Sequence, residues 1–199
     1  MAEHAPTRPL SPYGSSKLMT EIMLHDTASA HGMNYIVLRY FKVAGADPKG
    51  RVGFATVGAT HLLKIAVEAA IGQRAKIDVF GTDYPTPDGT CVRDYIHVTD
   101  LAQAHILALE RLRAGHGSDA FNLGNGKGFS VSEVLATAER VTGRSIRRTA
   151  EPRRAGDPHT LVGSAAKAQR VLGWRPRFAD LGTILETAWK WEQRRSGRG

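Results

Sequence analysis

Tyr13 and Lys17, in the stretch SPYGSSK, stand four residues apart behind prolines at 6, 9 and 12. On a helix, residues at that spacing share one face, with about 5–6 Å between Cβ atoms. A free phenol titrates near ~10 and is a poor base at neutral pH. An ammonium about 4 Å away favours the phenolate by roughly 4 kcal/mol at an effective dielectric of 20, which is enough to bring a phenol into general-base range. Alone the pair carries little weight, because chance places a Lys four residues after one of five tyrosines in about one chain in four.

Arg93, in VRDYIHV, is the next candidate. A guanidinium can grip a diphosphate through two parallel hydrogen bonds, which lysine cannot copy, or it can form a structural ion pair with nearby loop carboxylates. The basic run RSIRRTAEPRR, from Arg144 to Arg154, reads by itself as a solvated face. Phe80 by itself reads as core. GNGKG at 124–128 follows a strand and precedes a helix, yet it has neither the G-x-G-x-x-G spacing nor a P-loop ending, so its glycines read as turn geometry.

The chain of 199 residues is long enough for one sizeable domain and a small appendage. Its 42% hydrophobic and 23% charged composition is that of a globular protein. The single Cys91 excludes an internal disulfide, no Cys/His spacing suggests a metal, and no apolar run in the first thirty residues has signal or spanning length. A reducing, cytoplasmic setting without membrane attachment is expected. The net charge of +8 would suit an anionic partner. No finger, basic zipper or aromatic-interleaved basic motif accompanies it, so nucleic acid is not the expected partner, and the tail KWEQRRSGRG reads as a solvated, frayed end.

The elements that must position these side chains alternate. The opening residues through Gly14 predict a loop, feeding a helix from Ser15 to His31 stopped by Gly32. NYIVLRYF (34–41) predicts a strand buried on both faces, as in a parallel sheet, and 43–53 a loop. Further expectations are a helix from Ala59 to Ile71, a strand KIDVFG, a breaker-dense loop at 82–90, and a strand at VRDYIHV leading to Asp100 as N-cap of a helix from Leu101 to Leu112. AFNLG (120–124) predicts a strand, Ser130 and Glu133 a capping box for a helix ending near Thr142, and SIRRTA a weak strand. Helices are expected from Ala165 to Leu172 and from Asp180 to about Arg194. Strands alternating with helices give an α/β fold.

PLSPYGSSK, with the helix, the strand IVLRYF and then VAGA, resembles the extended short-chain dehydrogenase/reductase superfamily. VFGTDYPTPDGTCVRDYIHV, FNLGNGKGFSVSEV, PRRAGDP and LGWRP together resemble one member family, the UDP-glucose 4-epimerases, from about Glu3 to Glu192. The resemblance implies the C-terminal part of a Rossmann-type parallel sheet plus a smaller mixed α/β substrate domain. It implies a remnant of the NAD-binding domain at 1–58 and a mainly UDP-sugar-binding part at 59–199, with segments such as 91–115 packing back on the first. It also implies NAD as cofactor, a UDP-hexose substrate and, for the family, a cytoplasmic homodimer.

Carried over residue by residue, Tyr13 takes and returns the proton of the 4-hydroxyl, while Lys17 holds the nicotinamide ribose and favours the phenolate. Tyr40 and Phe41 lie where the family's strand passes the nicotinamide and the sugar. Arg93 and Arg154 become diphosphate ligands, Asp157 the ribose carboxylate and Phe80 the uracil contact. His61 and Leu62 begin the substrate-covering helix. Lys42 stands where the family usually has an Asn beside the diphosphate and sugar, and Ser164 replaces an Asp as a helix cap. The family's G-x-x-G-x-x-G turn, the acidic ribose residue after it and the catalytic Ser/Thr are not in this sequence. The chain is therefore expected to be inactive and poorly stable alone, and to need the missing N-terminal half. A related nucleotide-sugar epimerase or dehydratase, such as a UDP-arabinose 4-epimerase, and a UDP-sugar-binding fragment without catalysis are the alternatives.

Overall fold

A computed structural model describes residues 1–197. Its helices and parallel strands form a mixed α/β fold of the expected class. Helix α1 (Pro12–His31) begins earlier than expected. Ser11 caps it by accepting a hydrogen bond from the Gly14 amide at 3.2 Å, and Pro12 sits at its first position, where a missing N–H costs nothing. Gly32, at φ 63°, ends it.

Strand β1 (Ile36–Tyr40) pairs in parallel with β5 (Asp119–Leu123), from Ile36 opposite Asp119 to Tyr40 opposite Leu123. It is only partly buried and Tyr40 is exposed, so the expectation of a strand covered on both faces does not hold. After Phe41 the chain enters β2 (Lys42–Ala44), which the turn-rich reading of 43–53 missed, and which runs parallel to β4 (Val92–His97). β4 also pairs with β6 (Gly128–Ser130) and β8 (Thr160–Leu161), both too short to show a pattern in sequence. β3 (Ile77–Phe80) and β7 (Arg148–Glu151) form a separate parallel pair.

Helix α3 (Val98–Arg113) is capped by His97, whose Nδ1 accepts from the Thr99 amide at 3.1 Å. Asp100 is therefore not the N-cap. It lies in the first turn, buried, and its carboxylate accepts from the amides of Arg177 and Phe178 at 2.9 Å each. The capping box of α4 (Val131–Thr142) is present in both directions, between Ser130 and Glu133. Helix α2 (Leu62–Ala70) starts after His61, α5 (Ala166–Val171) has Ala165 as N-cap and takes no cap from Ser164, and α6 (Leu181–Arg195) is capped by Asp180. The tail is helical and anchored through Arg195 rather than frayed; its last two residues lie outside the described ones.

Two cores result. Leu63, Val67, Val134, Leu135, Ile184 and Leu185 join α2, α4 and α6 against Ile77 and Tyr95. Phe121, Leu123, Ile96, Ala104 and Trp174 form the second, which Ile36 and Leu38 of β1 cover. β4 contributes to both, so it fixes one core against the other. The N-terminal residues are pinned too: the Met1 ammonium donates to the Val162 carbonyl at 2.8 Å, and Glu3 accepts from the Asn122 amide at 2.9 Å.

Candidate active site

Three adjoining cavities open beyond the end of β1 and alongside β2 and β4, and they collect every candidate catalytic and ligand-binding residue of the sequence. The first, of about 620 Å³, is lined by Tyr13, Lys17, Tyr40, Phe41, Lys42 and Arg93 among others. The second, of about 360 Å³, brings together Lys42, His61, Leu62, Phe80, Arg93, Arg154 and Asp157. The third, of about 520 Å³, is mostly apolar and lies between Tyr13, Phe54, His61 and Trp191. Lys42 alone lines all three.

Tyr13 and Lys17 occupy the first two turns of α1, and the Lys17 ammonium lies 5.2 Å from the Tyr13 ring centre. Tyr13 is 73% exposed, so its side chain is open to an incoming hydroxyl. Glu21 ties α1 to the sheet through a two-point pair with Arg39 of β1, at 2.9 and 2.5 Å. Phe41 packs its ring on the backbone of Gly163. A Cβ there would come within 2.0 Å of the ring, which explains why this wall of the cavity carries no side chain.

In the second cavity Arg93 is buried, donates to the Val92 carbonyl at 2.8 Å and forms an ion pair with Asp157. The Arg154 guanidinium lies 3.6 Å from the centre of the Phe80 ring. Stacking of this kind fixes the plane of a cation and presents its N–H edge. Phe80 itself is partly buried and faces the opening, so the core reading of its side chain is corrected.

His61 stands at the border of the second and third cavities with its Nε2 buried and unpartnered, and its ring meets Phe54 edge-on at 6.0 Å. Burial, and secondarily the nearby Lys42 charge, lowers its pKa to about 4. It is therefore a neutral imidazole at neutral pH, able to accept or donate one hydrogen bond.

Among the other residues that line the second cavity are Cys91 and Tyr95. Their signal was available: side chains alternate across a strand, so 91 and 95 share the face of Arg93. Asp94, on the other face, is fully buried and accepts from the amides of Asn125 (2.8 Å), Gly126 (3.2 Å) and Gly163 (3.3 Å). It thereby organises the GNG turn and the loop after β8 that lies behind Phe41. Burial raises its pKa against the opposing pull of those amides.

No group of His, Cys, Asp and Glu among the described residues suits a metal ion, and no helix among them is long and apolar enough to cross a membrane. The cavities thus offer an exposed phenol beside an ammonium, then a row of guanidinium groups next to an aromatic ring. That arrangement suits proton transfer at one end of a ligand and recognition of a diphosphate at the other.

Known proteins share this arrangement of chain. UDP-glucose 4-epimerase from Azospirillum brasilense is 54% identical over 191 residues, covering 96% of this chain and 55% of that relative. A crystal structure of UDP-glucose 4-epimerase superposes with a TM-score of 0.94 at 48% identity, covering 98% of this chain and 60% of the other. A second, UDP-glucose-4-epimerase from Stenotrophomonas maltophila with bound NAD and formylated UDP-arabinopyranose, gives 0.94 at 40% identity, over all of this chain and 60% of the other. The chain thus spans little more than half the length of these relatives. The pattern of the NAD dependent epimerase/dehydratase family matches residues 1–124. With Tyr13, Lys17 and Arg93 all inside the matched region, the chain belongs to the NAD dependent epimerase/dehydratase family.

Proposed function

We propose that this chain forms the proton-transfer and nucleotide-sugar-binding portion of a UDP-glucose 4-epimerase, which interconverts UDP-glucose and UDP-galactose through a 4-keto sugar. The observation that carries the reading is the adjacency of the cavity holding Tyr13 and Lys17 to the one holding Phe80, Arg93, Arg154 and Asp157, with Lys42 and Arg93 in both. The relatives named above support it. The chain's division into a dinucleotide-side part (1–58) and a mainly sugar-side part (59–199) is part of the same proposal, as are a cytoplasmic setting and a homodimer.

The Tyr13 oxygen accepts the proton of the hexose 4-hydroxyl and returns it to the epimerised sugar. Lys17 supports that exchange electrostatically and donates to a ribose hydroxyl. Arg93 and Arg154 neutralise the diphosphate in fixed planes, Phe80 covers the base, and Asp157 accepts from the nucleoside ribose. The open cavity beside Tyr13, Lys17 and Tyr40 fits the nicotinamide-ribose end of NAD. When bound, NAD supplies the acceptor and donor of the C4 hydride. The G-x-x-G-x-x-G turn that would hold the dinucleotide diphosphate is not among these 199 residues, so turnover is to be measured with that fold present.

The test is thermal unfolding of the chain with UDP. At a hundredfold excess over Kd, UDP is expected to add about 2.7 kcal/mol, or about 5–10 °C in Tm for a chain of this size. No rise with UDP at millimolar concentration would overturn the reading. Turnover of UDP-galactose against UDP-arabinose, with the missing fold supplied, separates the hexose epimerase from its pentose-specific sister, which the arabinopyranose-bound neighbour brings into play.

A further inference from the structure

Cys91 is a nucleophile at the wall of the second cavity that the proposed reaction leaves idle. It is the chain's single cysteine, 4% exposed, and it lines that cavity beside Arg93 and Asp157. Its thiol donates to Asp157 Oδ2 at 4.0 Å, while the other oxygen of that carboxylate holds Arg93. Backbone bonds fix it on both sides: its carbonyl accepts from the Val131 amide at 3.1 Å, and the Val92 amide donates to the His159 carbonyl at 2.8 Å. The sulfur therefore stays at the wall, and a reagent must enter the cavity to reach it.

Two features around the thiol point to a group from outside the chain. Tyr84, 7% exposed, directs its hydroxyl at the thiol and the Asp157 carboxylate, yet that hydroxyl is buried with no hydrogen-bond partner. Its ring cannot turn away. The Arg153 guanidinium stacks on it at 4.4 Å, and the Gly81 backbone lies so close that a Cβ there would come within 2.3 Å of the ring. A buried donor without an acceptor is costly, and an oxygen carried in on the sulfur would supply one. The second feature is charge. Asp78 and Asp157 at this cavity are engaged by Lys76 and Arg93, whereas Lys42 and Arg154 have no ion pair among the described residues. The cavity thus favours an anionic visitor.

We propose that Cys91 forms a reversible mixed disulfide with an anionic low-molecular-weight disulfide, and that this adduct and a uridine diphosphate exclude each other from the second cavity. The proposal rests on the UDP-site reading above and adds a redox control to it. The Cys91 sulfur, its proton released to solvent, attacks one sulfur of the reagent. The new S–S bond forms as the old one breaks, and the leaving thiolate is protonated by solvent. Cys91 is oxidised, the leaving sulfur is reduced, and the disulfide is the only oxidant. The attached half lies against Asp157 and Arg93, where the diphosphate would sit. An external thiol reverses the exchange.

The experiment treats the chain with glutathione disulfide and follows its intact mass, with calorimetric titration of UDP into unmodified, modified and dithiothreitol-treated protein. One adduct per chain is expected, and with a single cysteine it can only be at Cys91. At a tenfold excess over its Kd, UDP leaves about one chain in eleven open, so modification should slow about tenfold. The modified chain should show no UDP binding at millimolar concentration and regain it with dithiothreitol. Neutral hydroxyethyl disulfide, each rate taken relative to the urea-unfolded chain, should react more slowly than glutathione disulfide at low salt, and the gap should close at high salt. Cys91→Ser should bind UDP as the native chain does, with or without the reagent. Modification only after unfolding overturns the proposal, as does an unchanged rate under saturating UDP or native UDP affinity in the adduct. UDP that binds the unmodified chain while the thiol stays unreactive removes the proposal alone. Failure of the unmodified chain to bind UDP removes the site reading together with the exclusion.

Discussion

Arg93 and Asp157, 64 residues apart in the chain, form an ion pair at the wall of the second cavity. The arginine is 8% exposed and the aspartate side chain 36%, so the buried cation is held by a partner that itself faces the opening. Arg93→Ala should weaken UDP binding about tenfold to a hundredfold, the range of a charged hydrogen bond. Asp157→Asn should weaken it only severalfold, because the guanidinium stays. Calorimetric titration with UDP measures both, and the reverse order would refute the assignment.

Lys64 and Glu192 make a second long-range pair, at 2.5 Å, with side chains 3% and 1% exposed. Arg195 and Glu68 complete the network that joins α2 to α6. Truncating Glu192 leaves the buried Lys64 only the longer contact to Glu68, so Glu192→Ala should cost about 3 kcal/mol in urea unfolding. Replacing both with leucine should cost less than the single change. If Glu192→Ala costs under about 1 kcal/mol, the pair is solvated and the packing argument fails.

The lowered pKa of His61 makes stability depend on pH with a definite sign. The unfolded imidazole takes a proton near ~6.5, whereas burial and the Lys42 charge hold the folded group neutral down to about 4. Between those values the unfolded state binds the extra proton, so stability rises with pH across that window and falls as acid is added. The full change is on the order of 3 kcal/mol. Nitrogen-resolved NMR titration should find His61 near the lower value, and Lys42→Asn should move it upward.

Tyr13 is exposed and accepts no structural hydrogen bond through its phenol, so Tyr13→Phe should change stability by no more than about 0.5 kcal/mol. UDP affinity should be unchanged as well. When the dinucleotide fold is supplied, the same variant should lose turnover by at least about a hundredfold, the contribution of a positioned proton-transfer group. A variant that keeps its rate would remove Tyr13 from the reaction.

How far the sequence disclosed this structure depends on the range of the interaction concerned. Ser130 and Glu133 declared their capping box because both partners lie within one helical turn, and the helix stop at Gly32 was as local. Asp100 looked like an N-cap by the same local logic. Its carboxylate instead serves amides at 177 and 178, which no local rule can foresee, and His97 takes the cap. β2, β6 and β8 span two or three residues each, too short for any periodicity, and exist because β4 offers them partners. The site residues were found through motif resemblance, since Phe80 and Arg154 carry no signal of their stacking until the chain is folded. Cys91 and Tyr95 were legible from alternation about Arg93, whereas Asp94 acts on turns at 125 and 163 that only the fold brings near.

Of the twenty residues of α1, only Ala28 is buried. A helix so thinly seated belongs to the low end of the opening free energies within a protein, while β4 and the helices around Leu135 and Ile184 belong to the high end. Amide exchange would therefore run fastest in the element that carries the phenol and slowest in the one that carries Arg93. In kinetic language, the proposed ligand would be captured by its phosphates on the slowly exchanging body first. The ordering of Tyr13 over its other end follows, and draws on free energy released in that first step.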